Sequence, residues 1–448
     1  MRVLLFHGYM LRGTGSNIYT ANLARALAGL GHEVHLLCQD REVRIEGVEI
    51  HNPEIQGLLP VYVKDPYEGF EVKTFSELSE EELTRYVDAN VAAIRAVAAV
   101  VGGFDVALAG HLVMGPLILA RAEVAPFAVK VHGSDLEYTV KPDPRFVPFA
   151  EEGVRAANGV LVGSRHTGES LWTALPQVRD LREKTRLGPP GVDTERFRPG
   201  ASPAVDGPRI VFVGKLIVSK GVDLLLAAWP LVRAGHPDVQ LKVAGYGEYE
   251  QGLRRLLKAL DVGDLDDARE VARRGWGLEG GEERPLPILS AFLADPPEGY
   301  VEAARGIASS IELIGRLEHD EVAELLPGAE ALVMPSTFPE AFGMVAAEAA
   351  ACGVLPVSAG HSGMLEVSRR LQAALPAEVV DLVSFPVEEG AVEAIAERLD
   401  GWLALPEERR DEAREALVAT ARRLWSWEGV ARGVIAASRG DLDRLPDA

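Results

Sequence analysis

Twice along its length this chain alternates short apolar runs with longer helix-patterned stretches, and that rhythm constrains its fold more than any other feature. In the first half, strand-like runs fall at residues 3–6, 33–38, 48–51, 105–110, 128–132 and 160–163. Helical patterns fall at 16–30, 80–101, 113–123 and 167–174. Short buried strands separated by helices imply a parallel sheet with helices on its faces, a Rossmann-like α/β domain.

A Pro/Gly-rich break follows, from Pro189-Pro190-Gly191 through Pro199-Gly200 and Pro203 to Pro208. The rhythm then restarts with runs at 210–213, 221–233, 239–244 and 248–260, and later at 311–314, 320–326, 331–334, 341–351 and 355–357. The reading is an α/β protein of two facing Rossmann-like domains, 1–195 and 205–424, with a ligand cleft at the carboxyl ends of the strands. A charged, Gly/Pro-rich and less periodic stretch at about 262–310 reads as an insertion in the second domain: a lid, an acceptor element or an oligomer contact. Residues 425–448 form a C-terminal helix whose Trp425 and Trp427 need an apolar surface, expected on the N-terminal domain.

At 448 residues the chain exceeds one ordinary core. A net charge of −21 argues against nucleic acid or an anionic membrane as the main partner, leaving membrane contact peripheral at most. Only Cys38 and Cys352 are present, both in apolar surroundings, so buried thiols in a reducing, cytoplasmic setting are expected. The N-terminal apolar run is too short for a signal segment, and no run is long enough to span a bilayer.

The chemistry concentrates where Ala331-Leu332-Val333-Met334, a strand, meets Pro335-Ser336-Thr337-Phe338-Pro339-Glu340-Ala341-Phe342-Gly343-Met344 and an alanine-rich helix beginning at Ala341. The N-terminus of that helix is a ready phosphate site. Glu340 stands at its mouth and Glu348 eight positions on, roughly the same side of a helix. Two carboxylates around an anion site suit a ligand with both phosphates and hydroxyls, such as a nucleotide sugar. The bland alternative has Glu340 capping the helix dipole and Glu348 solvated.

Other segments end strands in the same way. Gly8 to Asn17 forms a glycine loop (Gly13, Gly15 and Ser16 at its end) without the spacing of a P-loop or a dinucleotide fingerprint. Val131-His132-Gly133-Ser134-Asp135 follows another run, and His111 has a similar placement. Gly214-Lys215 to Lys220-Gly221 carries two cations five positions apart, and Gly245-Tyr246-Gly247 closes the next strand. Asp264-Leu265-Asp266 follows no strand and reads as a solvated acidic face; Asp441-Leu442-Asp443, near the terminus, follows no recognisable strand either.

Taken in order, these segments resemble the retaining GT-B glycosyltransferases of family 4 (glycosyl transferases group 1). The Glu340-x7-Glu348 pair matches that family's E-x7-E signature, and His132-Gly133-Ser134-Asp135 its H-G-x-D segment. Gly163-Ser164 and Gly191 to Phe197 resemble further landmarks near the hinge. The family usually shows G-R-x-x-x-x-K-G; here Lys215 stands for the arginine and Lys220 matches. Near Gly360 to Glu366 the fit to G-G-x-P-E is partial, with Gly363 and Glu366 matching.

The resemblance implies retaining transfer of a hexosyl unit from a UDP-, GDP- or ADP-sugar to the hydroxyl of a small-molecule, glycan or lipid acceptor, with no metal or other cofactor. His132, Lys215, Lys220 and Glu340 become the candidate catalytic residues. Gly13, Gly15, Ser16, Gly214, Gly245, Gly247, Phe342, Gly343, Met344 and Glu348 become the candidate donor-binding ones. In that scheme Glu348 holds ribose hydroxyls, Glu340 holds sugar hydroxyls, and the lysines with N–H groups near Phe342 to Met344 receive the leaving diphosphate. A nucleotide-sugar epimerase or a non-catalytic nucleotide-sugar-binding protein remain alternatives, and an oligomer is possible.

Overall fold

A computed structural model describes residues 1–64, 67–200 and 207–448. The chain forms two compact units: Met1–Gly191 with Trp425–Ala448, and Val192–Leu424. The division falls before Val192 where the sequence suggested 195; Pro203 and the expected start of the second domain at 205 lie outside the described residues.

The first unit opens with β1 (Arg2–Phe6), α1 (Gly15–Gly29), β2 (Glu33–Leu37) and β3 (Val48–His51). Next come β4 (Leu58–Val61), β5 (Glu71–Thr74), α2 (Glu80–Val101), β6 (Val106–Gly110) and α3 (Gly115–Arg121). It continues with β7 (Phe127–Lys130), α4 (Val147–Ala156), β8 (Gly159–Val162), α5 (Arg165–Ala174), α6 (Leu181–Lys184) and β9 (Thr185–Leu187). Seven strands form a parallel sheet in the order β3-β2-β1-β6-β7-β8-β9. Strand period sorts its side chains into two cores: Leu4, Phe6, Ala107 and Val129 on one face, Val3, Leu5, Leu108 and Ala128 on the other. The parallel pair β4–β5 was not anticipated; its strands are four residues each, too short for a clear alternation.

The second unit begins β10 (Arg209–Val213), α7 (Val222–Gly235), β11 (Gln240–Ala244), α8 (Glu250–Val262). Then come α9 (Leu265–Arg274), α10 (Pro287–Ala294), α11 (Tyr300–Ala304), β12 (Ile311–Gly315), α12 (His319–Leu325) and β13 (Ala331–Met334). It closes with α13 (Met344–Ala351), β14 (Leu355–Ala359), α14 (Ser362–Gln372), α15 (Ala377–Val380), β15 (Ser384–Phe385), α16 (Ala391–Leu403) and α17 (Glu407–Leu424). Its parallel sheet runs β12-β11-β10-β13-β14-β15. The last helix, α18 (Trp427–Arg439), packs on α1, β6, β7 and β8 of the first unit.

Two expectations change. The stretch at 262–310 is helical and packed: α9 and α10 lie together, and α11 sits on α7 and α8. Val271, Leu289, Leu293 and Tyr300 are buried there. Glycines and prolines break it into helices of ten, eight and five residues, too short to show a sustained period. Asp264 caps α9 by accepting the Asp267 N–H at 3.0 Å. The second change is that α13 starts at Met344, three residues after Ala341, because Gly343 takes φ 97° and ends the run of helical backbone. Glu340 therefore lies in the loop, and the helical spacing argued for Glu340 and Glu348 does not hold. No helix among the described residues is long and apolar enough to cross a membrane.

Candidate active site

In both sheets the strand order reverses beside the first strand, at β1/β6 and at β10/β13. Loops leaving the carboxyl ends of such strands diverge and leave a crevice, the usual ligand position in open α/β sheets. Lys215 and Lys220 follow β10; Glu340 follows β13.

Lys220 ends a single 3-10 turn, Val218–Lys220, closed by Gly221 at φ 65°. A Cβ on Gly221 would lie 2.1 Å from the Pro335 carbonyl oxygen, so only glycine lets the two loops touch. The Thr337 N–H donates to the Ser219 carbonyl at 2.9 Å and ties them again. Across this junction the Lys220 ammonium donates to Glu340 Oε1, which also accepts from Ser336 Oγ at 2.9 Å.

The loop after β14 completes the frame. The Glu340 N–H donates to Ser362 Oγ at 2.9 Å, and the Gly363 N–H to the Glu340 carbonyl at 2.9 Å. His361 Nε2 lies 2.8 Å from the Ser336 carbonyl and Nδ1 3.1 Å from Ser362 Oγ. Since a carbonyl only accepts, Nε2 carries the proton and Ser362 donates to Nδ1. These contacts hold Glu340 outside α13 despite the helix propensity of its neighbours. Phe342 is buried just before Gly343, and Met344 begins the helix.

Glu348 is 4% exposed, not solvated, and its Oε1 lies 2.8 Å from His319 Nε2. The His319 ring rests 4.8 Å from that of Phe197. On the other side of β10, Gly214 donates to Ala244 and Gly245 to Gly315, at 3.0 and 2.8 Å. A Cβ at Gly245 would stand 1.9 Å from the Gly214 carbonyl oxygen, and one at Gly247 2.4 Å from that of Leu216. Backbone packing therefore requires both glycines. Lys215 and Arg316 flank the Tyr246 ring at 5.9 and 5.0 Å. Thus the described contacts join Lys220 to Glu340 and set Lys215 with Tyr246.

Nothing in the sequence singled out His319, Arg316 or Glu279, and Ser336 stood only as part of the turn before Glu340. Glu279, in the stretch between α9 and α10, accepts the Val218 N–H at 2.7 Å and so braces the Lys220 turn. No local signal marked it, since its partner lies 61 positions away.

In the first unit, His7, His111 and His132 leave the ends of β1, β6 and β7. Their rings form a chain, 5.5 Å from His7 to His111 and 4.6 Å from His111 to His132. Burial lowers the His7 pKa to about 4 and pushes the other two well below 6.5, so all three are neutral near pH 7. Asp135 accepts N–H groups from Leu112, Gly133 and Leu136 at 2.6, 2.8 and 3.0 Å, which shapes the loop presenting His132. Gly13, at φ 92°, turns the chain into α1, whose first two residues are Gly15 and Ser16.

Lys130, two residues before His132, is buried with its ammonium 2.7 Å from the Gly188 carbonyl. Burial lowers its pKa from 10.5 to about 7. The unfolded chain keeps this proton up to pH 10.5 while the folded one releases it near 7, so stability should rise across that window and fall toward pH 7. Urea unfolding at pH 7 and 9.5 should show wild type gaining on Lys130→Met; a constant difference between them would count against the buried-lysine account.

Models of two families match the chain: "Glycosyl transferases group 1" over residues 193–265 and 301–422, and "Glycosyltransferase Family 4" over 13–196. The chain belongs to the group 1 glycosyltransferases, with the GT-B fold. This glycosyltransferase is 29% identical to the D-inositol 3-phosphate glycosyltransferase of Frankia alni, over 96% of this chain and 95% of that one. It is 27% identical to the GDP-mannose-dependent alpha-(1-6)-phosphatidylinositol monomannoside mannosyltransferase of Mycolicibacterium smegmatis, over 71% of each. Anabaena HepE, solved in complex with UDP and glucose, superimposes with a TM-score of 0.63 at 15% identity, over 99% of this chain and 100% of that one. The group 1 match skips residues 266–300, the stretch that carries Glu279 in this glycosyltransferase.

Proposed function

We propose that this glycosyltransferase moves a hexosyl unit from a nucleoside diphosphate sugar to an acceptor hydroxyl with retention at the anomeric carbon, and without a divalent metal. The observation that carries the proposal is the Lys220–Glu340–Ser336 cluster at the β10/β13 reversal, with buried Glu348 in the helix that follows. Names of relatives that depend on GDP-mannose, and a fold neighbour holding UDP and glucose, support a nucleotide-sugar donor.

In this reading the donor parts Lys220 from Glu340. The ammonium turns to the diphosphate with Lys215, and the carboxylate accepts from sugar hydroxyls. Glu348, oriented by His319, accepts from the ribose. Backbone N–H groups at Phe342, Gly343 and Met344 face the phosphates, and His132 serves the sugar. Gly214, Gly245 and Gly247 hold the donor-side turns; Gly13, Gly15 and Ser16 take the donor-binding role that the family resemblance implies. The bond from the anomeric carbon to phosphate oxygen breaks with its electron pair leaving on the diphosphate. The acceptor oxygen bonds to that carbon on the same face, and its proton passes to the departing phosphate oxygen. Charge on the leaving group is thus met by fixed donors.

Thermal-shift screening against UDP, GDP and ADP identifies the base, and turnover with the matching sugar and acceptors follows. Glu348→Ala should weaken nucleotide binding by about ten- to a hundredfold, since charged hydrogen bonds contribute roughly 1.5–3 kcal/mol each. Glu340→Ala should leave nucleotide affinity within about threefold while turnover falls about tenfold or more. Wild-type binding and rate in both variants would refute the assignment. Release of nucleoside diphosphate only with acceptor present separates transfer from epimerisation or mere binding.

Turnover should also persist in EDTA, because two lysines and aimed N–H groups replace a metal at the phosphates. Activity abolished by EDTA and restored by magnesium or manganese would overturn this part.

A further inference from the structure

The sequence Glu33-Val34-His35 on β2 is echoed by Glu49-Ile50-His51 on β3. Strand period puts both members of each pair on one face, and the parallel register sets His35 beside Glu49. His35 Nδ1 lies 3.1 Å from His51 Nε2 and 3.4 Å from Glu49 Oε2, and His51 Nε2 lies 3.9 Å from Glu49 Oε1. Neither the donor-side cluster nor the histidine chain at the strand ends uses any of these groups.

We propose that His35, Glu49 and His51 form a binding site for one divalent transition-metal ion, zinc by its donor set, that clips edge strand β3 to β2. Ligands at about 2.0–2.1 Å around tetrahedral zinc stand about 3.4 Å apart. His35 Nδ1 stands near that spacing from His51 Nε2 and from Glu49 Oε2, and Glu49 turns its other oxygen to His51. One ligand atom from each residue lies within 4.8 Å of the others, so a small rotation of the exposed carboxylate closes the set. Two imidazoles and a carboxylate are a zinc donor set that leaves a fourth position for water.

The surrounding groups set His35 in its ligating form. Its other nitrogen, Nε2, faces the Glu33 carboxylate at 3.2 Å. A carboxylate there accepts the Nε2–H, which leaves the Nδ1 lone pair aimed at His51 and Glu49, the carboxylate–histidine–metal arrangement. The His35 ring is further held edge-on to Phe104 at 5.7 Å. His35 is 1% exposed while the Glu49 side chain is 64% exposed, so the site has an interior anchor and an open side for entry. Without a metal, His51 Nε2 must carry a proton for the 3.1 Å contact to be favourable; with one, both nitrogens present lone pairs to the ion. Cys38 is buried with its thiol pushed up to about 12 and supplies no thiolate.

The test uses full-length, tag-free protein stripped with EDTA and exchanged into metal-free buffer. Cobalt(II) titration should produce a visible d–d band saturating at one equivalent per chain, with no thiolate charge-transfer band, and zinc should abolish it. Zinc should raise the melting temperature of wild type but not of His51→Ala, and His51→Ala should lose the cobalt band. Glu49→Gln, at an exposed position, should keep the fold and weaken binding about tenfold or more; it decides the matter if His51→Ala fails to fold. No cobalt band in wild type, or zinc affinity unchanged in the variants, would overturn the site.

Discussion

Lys220→Ala is expected to lower turnover by about a hundredfold, the scale on which losing one preorganised donor to a developing anion is felt. The side chain reaches its position from a junction where two loops pack backbone on backbone. Gly221 presses its backbone on Pro335, and Ser219 accepts from Thr337, so the turn that ends at Lys220 cannot shift independently of the Glu340 loop. The ammonium lies on Glu340. That pair is about a quarter exposed on each side, so as an ion pair it adds little stability, under about 1 kcal/mol. Melting temperature should therefore barely move while turnover collapses. Lys220→Arg should recover part of the rate, because charge returns with a different shape. Turnover within about threefold of wild type in the alanine variant, with a normal melting temperature, would remove Lys220 from the mechanism.

Deleting residues 425–448 should be the most destabilising change. Helix α18 covers one face of the first sheet, with Ala431, Val434 and Ala437 at most 1% exposed in the core that contains Val3, Leu5 and Leu108. Gly159 lies so close beneath it that a Cβ there would stand 2.7 Å from the Ala437 carbonyl oxygen. Ser438 Oγ donates to the Ala107 carbonyl at 2.8 Å, and Asn158 Nδ2 to that of Ser438 at 3.0 Å. The Trp427 indole fills the space that the missing side chain of Gly191 leaves, 5.5 Å from the Tyr19 ring. Losing a buried Trp425 and Val434, at about 1.5–3 kcal/mol or more for each, should cost several kcal/mol and lower the melting temperature by about 10 °C or more. Calorimetry of the truncated protein checks it; an unchanged transition would refute the role given to this helix.

Much of the fold was legible because its signals are local. A buried parallel strand reads as a short apolar run and a crossover helix as a longer periodic one, so β13 is placed residue for residue and most other strands to within two. In α9–α11, where glycines and prolines cut the helices too short to show a period, the stretch reads only as a charged insertion. It also could not see Glu279 bracing the turn before Lys220, or His319 meeting Glu348 across 29 positions.

The sequence by itself determined the α/β class, the order of strands and helices, and the placement of Lys220, His132 and Glu340 just beyond strand ends, because each depends on residues within a few positions. Only the tertiary structure decided which of these groups meet. The parallel order β10-β13 brings Lys220 to Glu340 from 120 positions away, and the β2–β3 register gathers two Glu-x-His pairs into one cluster. The same is true of the start of α13. Alanine propensity would extend that helix back to Ala341, but Ser362 and Gly363 bind the backbone of Glu340 and Gly343 takes a left-handed turn, so long-range hydrogen bonds outweigh a local preference of a few tenths of a kcal/mol, roughly, per residue.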